Sequence, residues 1–312
     1  MNINDASSVL AFEDAPELAP YRDQPAQMPA GAPGKNGFLR LGFERRGTRT
    51  ALIDLAQRPP LLAQQALYYD DAAPDLPHVI IVCTAGGVLQ GDRQTIEIAL
   101  AAGSEAHVTT QSATKIQEMD ANFAAQSQEI VLSEDAYLEY LPDPVIPYRN
   151  SRFITRTRIC LPLSATLVYS EILMPGRTHY RSGERFEYAL FSSTIRAERP
   201  DGTVLCCEKF IVEPEHRNLR AVAIMGRFDV FANVLVFAPR ECSERIFAET
   251  PAQFAPQEGW AAGATRLPNH AGLAYKIVGD DRETVQAKVR GFAALVRRLV
   301  KYADTDPQFQ WR

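Results

Sequence analysis

The sequence lacks the groupings around which most enzymes are built. It has no G-x-S-x-G elbow for a nucleophilic serine and no glycine-lysine-serine/threonine phosphate loop. It has no C-x-x-C and no H-x-x-x-H spacing, so a closed structural metal site is not expected. Cysteine is scarce. Cys83, Cys160, Cys206, Cys207 and Cys242 form an odd, scattered set that implies no disulfide framework and points to a reducing compartment. Basic charge is not in excess: 33 Lys and Arg stand against 38 Asp and Glu, a net charge of −5, which argues against a nucleic-acid binder. The start of the chain has neither a basic region nor an apolar run, so no signal peptide is read. No window approaches the roughly 20 apolar residues of a membrane span. The expectation is a cytoplasmic, soluble chain with no internal repeat.

What the sequence does have is short strand-like runs. With 312 residues, 46% of them hydrophobic, it has material for a sizeable core. Residues 1–36 recur in Pro16, Pro20, Pro25, Pro29 and Pro33 among Ala, Gly and acids, which predicts a mobile tail, or one that folds onto a partner. A single domain is expected over 37–312, with a β-rich body at 37–212 and a helix-containing part at 213–312. Alternating or β-branched runs recur, as in His78–Cys83, Thr95–Leu100, Ala106–Thr110, Glu129–Leu132, Phe153–Ile159 and Phe186–Leu190. Leu61–Tyr69 and Leu219–Phe237 read equally as helix or strand. Asp280–Lys301 reads as helix, with Asp280 as N-cap and Glu283 completing a capping box. Val285, Val289, Phe292, Leu295, Val296 and Leu299 form its apolar stripe, and Arg282, Lys288, Arg290, Arg297, Arg298 and Lys301 its solvated face.

Candidate chemistry is thin. Gly86-Gly87-Val88-Leu89-Gln90-Gly91-Asp92 follows a strand, but what comes next is strand-like, so it reads as a tight turn rather than a nucleotide loop. Asp92, Glu139, Asp143, Glu171 and Glu184 fall in turn-rich contexts. Two of them could form an acid/base pair, or all could be solvated or paired beside Arg152, Arg177 and Arg181. A hydrolase using Asp92, Asp143 or Glu184 is therefore one open reading. A metal-storing module on Cys206, Cys207 and His216 is another, weakened because adjacent strand residues point to opposite faces. Thr109–Ile116 is dense in hydroxyls and amides, the signature of a polar cavity or interface.

Four segments in order carry a resemblance. Gly86–Asp92, Thr110-Gln111-Ser112-Ala113-Thr114-Lys115-Ile116, Leu138-Glu139-Tyr140-Leu141-Pro142 with Ile146-Pro147, and Gly176-Arg177 with Gly183-Glu184-Arg185-Phe186 are similar to the motifs of the UreD (UreH) family of urease accessory proteins. The tail Gln308–Arg312 is similar to the family's closing motif. Thr84-Ala85 and Gln117-Glu118 depart from its pattern, and residues 1–36 lie outside it. The resemblance implies a mainly β fold, a β-solenoid-like stack of short strands with a few helices toward the C-terminus. It implies a non-catalytic factor that binds UreF and, through it, the GTPase UreG. That assembly docks on apo-urease in a higher-order complex and helps deliver nickel. No cofactor would be stably bound, and Ni²⁺ would pass transiently through a water-filled tunnel. The candidate lining is Asp92, Glu139, Asp143, Glu171 and Glu184, with Thr110, Gln111, Ser112, Thr114, Lys115, Arg152 and Arg177 around it. Apolar patterning puts the candidate partner contact at Phe292, Leu295, Leu299 and Trp311.

Overall fold

The structure is a computed structural model that describes residues 12, 14–22 and 35–301. The short runs pair into two sheets. The first holds β1 (Asn36–Arg46), β2 (Arg49–Arg58), β5 (Arg93–Leu100), β8 (Ala124–Leu132), β11 (Arg152–Cys160), β13 (Leu190–Glu198) and β14 (Val204–Val212), in the spatial order β14-β13-β11-β8-β5-β1-β2. The second holds β3 (Leu61–Ala63), β4 (His78–Cys83), β6 (Glu105–Thr110), β9 (Tyr137–Tyr140), β12 (Thr166–Leu173), β15 (Val230–Phe237), β16 (Gln253–Ala255), β17 (Trp260–Arg266) and β18 (Gly272–Gly279). Their order is β16-β17-β18-β15-β12-β9-β6-β4-β3. Two short strands, β7 (Thr114–Ile116) and β10 (Val145–Pro147), pair beside it.

The chain changes sheet at each main strand from β4 to β13. Within the sheets β1-β5-β8-β11-β13 and β4-β6-β9-β12 run parallel. Each circuit thus adds one strand to either sheet, which explains the even rhythm of the sequence. Antiparallel strands complete the sheets: β2 and β14 at the ends of the first, β3 and the β15–β18 group in the second. The expectation of a mainly β chain with helices toward its end holds. The second sheet crosses the boundary drawn at 212, because β12 pairs with β15.

Alternation along each strand sends every second side chain inward. At one end of the interface Leu41, Ile98, Ile130, Leu138 and Phe237 are buried together. At the other, Val88, Ile116, Phe153, Leu173 and Phe191 form a second cluster. A polar layer separates them. Outside the second sheet lie α1 (Arg240–Ala248) and α2 (Arg282–Lys301), packed on Val168, Ile172, Val234 and Ile277.

Several expectations are corrected here. Asp281, not Asp280, caps α2: its carboxylate accepts from the Thr284 backbone N–H at 2.8 Å, while Asp280 pairs with Arg227 at 3.0 Å. Phe292 and Leu299 are buried against the sheet, with Leu295 packed beside them, so the stripe expected to meet a partner is used within the chain. Trp311 lies outside the described residues. Arg297 is not solvated but only 3% exposed. Phe186 takes φ +57° while its N–H donates to the Pro175 carbonyl at 2.7 Å, so the strand read at 186–190 starts only at Leu190. Inside the expected N-terminal tail, Pro16–Tyr21 forms a 3-10 helix that buries Leu18 on the first sheet. Apolar residues are few there, but Ala15 and Leu18 are spaced to sit on one side of a tight helical turn.

Candidate functional site

The four motif segments, far apart in sequence, stack at one end of the winding. Val88 bridges Ile116 in parallel, β7 pairs with β10, and Val145 pairs with Leu173. The Met174 N–H donates to the Val145 carbonyl (2.9 Å), and the Glu184 N–H to that of Arg177 (3.0 Å). Two glycines make the close approaches possible. A Cβ on Gly87 (φ +147°) would lie 2.7 Å from the Lys115 carbonyl oxygen, and one on Gly176 (φ +141°) 2.7 Å from that of Glu184. Each circuit contributes one motif to this edge.

Beneath it, between the sheets, is a cavity of about 140 Å³. Its walls include Thr110, Gln111, Ser112, Thr114, Lys115, Asp143 and Glu171 from the candidate set. The Asp143 N–H donates to Thr110 Oγ1 (2.9 Å), and Asp143 Oδ1 accepts from Gln286 of α2 (2.7 Å). Lys115 is exposed at the rim. Glu171 sits deeper. It accepts from Ser193 Oγ (2.9 Å) and Tyr169 Oη (3.0 Å). Burial pushes its carboxyl up to about 7 against those two hydrogen bonds, with the Glu208 charge adding to the rise and Lys276 opposing it.

Residues that the sequence reading missed supply much of the polar wall. Gln126 of β8 donates to Gln94 of β5 (2.9 Å) and Gln128 of β8 to Gln126 (2.6 Å), an amide ladder on two neighbouring parallel strands. Gln94 Nε2, Gln128 Oε1 and Thr155 Oγ1 are buried there without a protein partner. Buried polar atoms of that kind bond to water or to an occupant, and the space has room for several waters. Further along, Glu208 accepts from Asn233 (3.0 Å) and pairs with Lys276. A signal for this layer was present in the sequence. In Gln94-Thr95-Ile96-Glu97-Ile98, glutamine holds the phase that isoleucine holds next, a polar residue on the inward side of the alternation.

Five candidates stand elsewhere. Asp92 is fully buried and pins the glycine turn, accepting from the backbone N–H groups of Lys35 (2.7 Å) and Leu89 (2.8 Å). Glu184 forms a two-point pair with Arg177, one bond at 2.7 Å, and the Arg177 guanidinium beside it holds its carboxyl below the usual range. That guanidinium lies between the rings of Tyr148 and Tyr180 at 4.0 and 3.9 Å. Arg152 donates to the Met119 and Asn122 carbonyls. Glu139 faces the other side of the second sheet, under α2. Arg297 Nε (2.6 Å), Tyr137 Oη (2.6 Å) and His107 Nδ1 (2.7 Å) all meet it, and Arg297 also reaches Asp70 (2.7 Å). Burial alone would raise the Glu139 carboxyl, but Arg297 and His107 bring it well below the ordinary range. Burial takes neighbouring His78 down to about 3, aided by the charges of His107 and Arg297.

Asp92 accepts from backbone N–H groups, Asp143 from Gln286 and Glu184 from Arg177, and among the described residues no hydrogen bond joins any two of the three. Among the described residues no group of three His, Cys, Asp or Glu side chains is placed to hold a metal. Cys206 packs inward against the core while Cys207 is exposed. Among the described residues no helix is long and apolar enough to cross a membrane.

Comparison with known proteins bears directly on the resemblance carried by these four motifs. The chain is 50% identical over 297 residues to "Urease accessory protein UreD 2" of Brucella canis, covering 95% of this chain and 98% of that protein. It is equally similar to the Brucella suis protein of the same name. It is 46% identical over 299 residues to "Urease accessory protein UreD" of Yersinia pseudotuberculosis serotype O:1b, covering 96% and 93%. The family profile described as UreD urease accessory protein matches residues 35–312, which take in both sheets and all four stacked motifs, and the chain belongs to that family.

Proposed function

We propose that this chain is a non-catalytic assembly factor of urease maturation. It binds the accessory protein UreF and, through it, the GTPase UreG. It docks on apo-urease and passes nickel toward the active site through the polar layer between its sheets. The observation that carries this reading is the chemistry of the cavity. Its polar donors are hydroxyl, amide and carboxyl oxygens from Thr110, Gln128, Thr155, Tyr169 and Glu171, and its one thiol, Cys83, is aimed at the Gly87 carbonyl (3.8 Å). Single oxygen ligands bind Ni²⁺ weakly enough to release it, whereas a thiolate set would trap it. A cation arriving at Glu171 displaces a proton, because that carboxyl titrates near neutrality.

Co-expression with UreF and the urease subunits is the test. A strain lacking this chain should yield nickel-poor urease, and affinity-tagged UreF should retain the chain. Lys115→Ala and Asp143→Ala, at the rim, should lower the nickel content of urease while leaving the circular dichroism of the isolated protein unchanged. Full nickel loading in the strain without the chain would overturn the reading.

A further inference from the structure

The segment Asp14–Arg22 behaves toward the first sheet as a bound ligand does toward a groove. Leu18 is fully buried among Phe123, Ala125, Ile154 and Leu190 on the outer face. The Glu17 carboxylate accepts from Ser192 Oγ (2.7 Å) and pairs with Lys209 Nζ (2.9 Å). Burial would raise that carboxyl, but the two bonds bring it below its ordinary value. Asp14 pairs with Arg156 at 2.5 Å, and Arg152 lies over the Tyr21 ring.

β13 and β14, which carry Ser192 and Lys209, also wall the cavity through Phe191 and Phe210. Ser192 faces outward to Glu17, and Ser193, the next residue, faces inward and donates to Glu171. Lys209 faces outward to Glu17, and Glu208, its neighbour, faces inward to Asn233 and Lys276. Among the described residues β14 is the last strand of its sheet, with β13 as its one ladder partner. A strand held along one side only is where a sheet opens first.

We propose that residues 14–22 form a strap that clamps the β13–β14 wall of the cavity from outside, and that release of the strap loosens that wall. The groove accepts a short segment with a carboxylate beside an aliphatic residue, and its occupant is this chain's own Glu17-Leu18. The clamp acts alike on any cavity occupant.

The test is amide hydrogen exchange on the full-length chain and its Leu18→Asp variant, which places a charge in the buried Leu18 site. Exchange over Val204–Val212 should rise about tenfold or more, and Cys206, inward on β14, should become open to alkylation, while β1 and β5 exchange as before. A synthetic peptide of residues 12–22 added to the variant should restore protection. Unchanged exchange in β14, or no restoration by the peptide, would overturn the proposal. If Leu18→Asp loosens the whole chain, Glu17→Gln decides, since it keeps Leu18 in place: a rise confined to β14 supports the clamp, and none removes it.

Discussion

Glu171, half-buried on the cavity wall, and Arg297, buried on the inner side of α2, are treated oppositely by the protein. Glu171 has hydroxyl partners but no directly paired cation, and its carboxyl is pushed up from 4.5 to about 7. The folded chain therefore keeps a proton that the unfolded chain has lost between those values. Stability from this group is full below pH 4.5 and falls as the pH rises to 7. Glu171→Gln removes the dependence: melting temperatures of variant and parent should coincide near pH 4.5 and separate above pH 7, with the variant the more stable. A difference that does not change with pH would contradict the assignment. Arg297, by contrast, joins Glu139 and Asp70 across 158 and 227 residues of sequence. Arg297→Ala strands two buried carboxylates and should cost about 3–5 kcal/mol in urea unfolding. Neither environment could be read from sequence. Arg297 sits in a row with Arg290 and Arg298, and helical periodicity alone put all three in solvent. The buried acids that draw one of them inward, Glu139 on β9 and Asp70 in the loop between β3 and β4, lie far away in the sequence.

At the level of elements, the rhythm of short strands, the glycine turn at Gly86–Asp92 and the C-terminal helix were legible because each is a local signal. The β1–β2 hairpin follows from alternation around Gly47, and α2 from a stripe at helical spacing. Pairing was not legible. Parallel strands meet across about 30 residues, and nothing local in Thr114–Ile116 announces that it lies between Val88 and Val145. The cavity was half legible for the same reason. The hydroxyl-rich Thr110–Lys115 segment was found, whereas Gln94, Gln126 and Gln128 become a ladder only once their strands are neighbours. The motif stack depends most on Gly87, where a side chain would meet backbone, not a yielding neighbour. Gly87→Ala should lose about 1–3 kcal/mol from backbone strain, with the clash against the Lys115 carbonyl added. Gly47→Ala, where a Cβ meets nothing within 4 Å, should lose less. Equal losses in thermal unfolding would mean that the close approach of turn and strand does not matter.

For the molecule as a whole, the two sheets divide their labour by face. The outside of the second sheet is sealed by α1 and α2, the outside of the first is partly covered by residues 14–22, and the inside carries the polar layer between two apolar clusters. A core built for stability alone would fill that layer with apolar side chains, because an unpartnered buried hydroxyl is unfavourable by about 1–3 kcal/mol. Thr155 is such a hydroxyl, 5% exposed, on the cavity wall and without a protein partner. Thr155→Leu removes the unpartnered group and adds apolar volume to open space, so its melting temperature should equal or exceed that of the parent. If the layer serves as a passage, the same variant narrows it. Tagged UreF should still retain the variant, because the change is internal, yet co-expressed urease should contain less nickel. Stability and delivery would then move in opposite directions, which no loss of folding can imitate. Normal nickel content with Thr155→Leu in place would remove the passage from the account and leave the motif edge above it as the working surface.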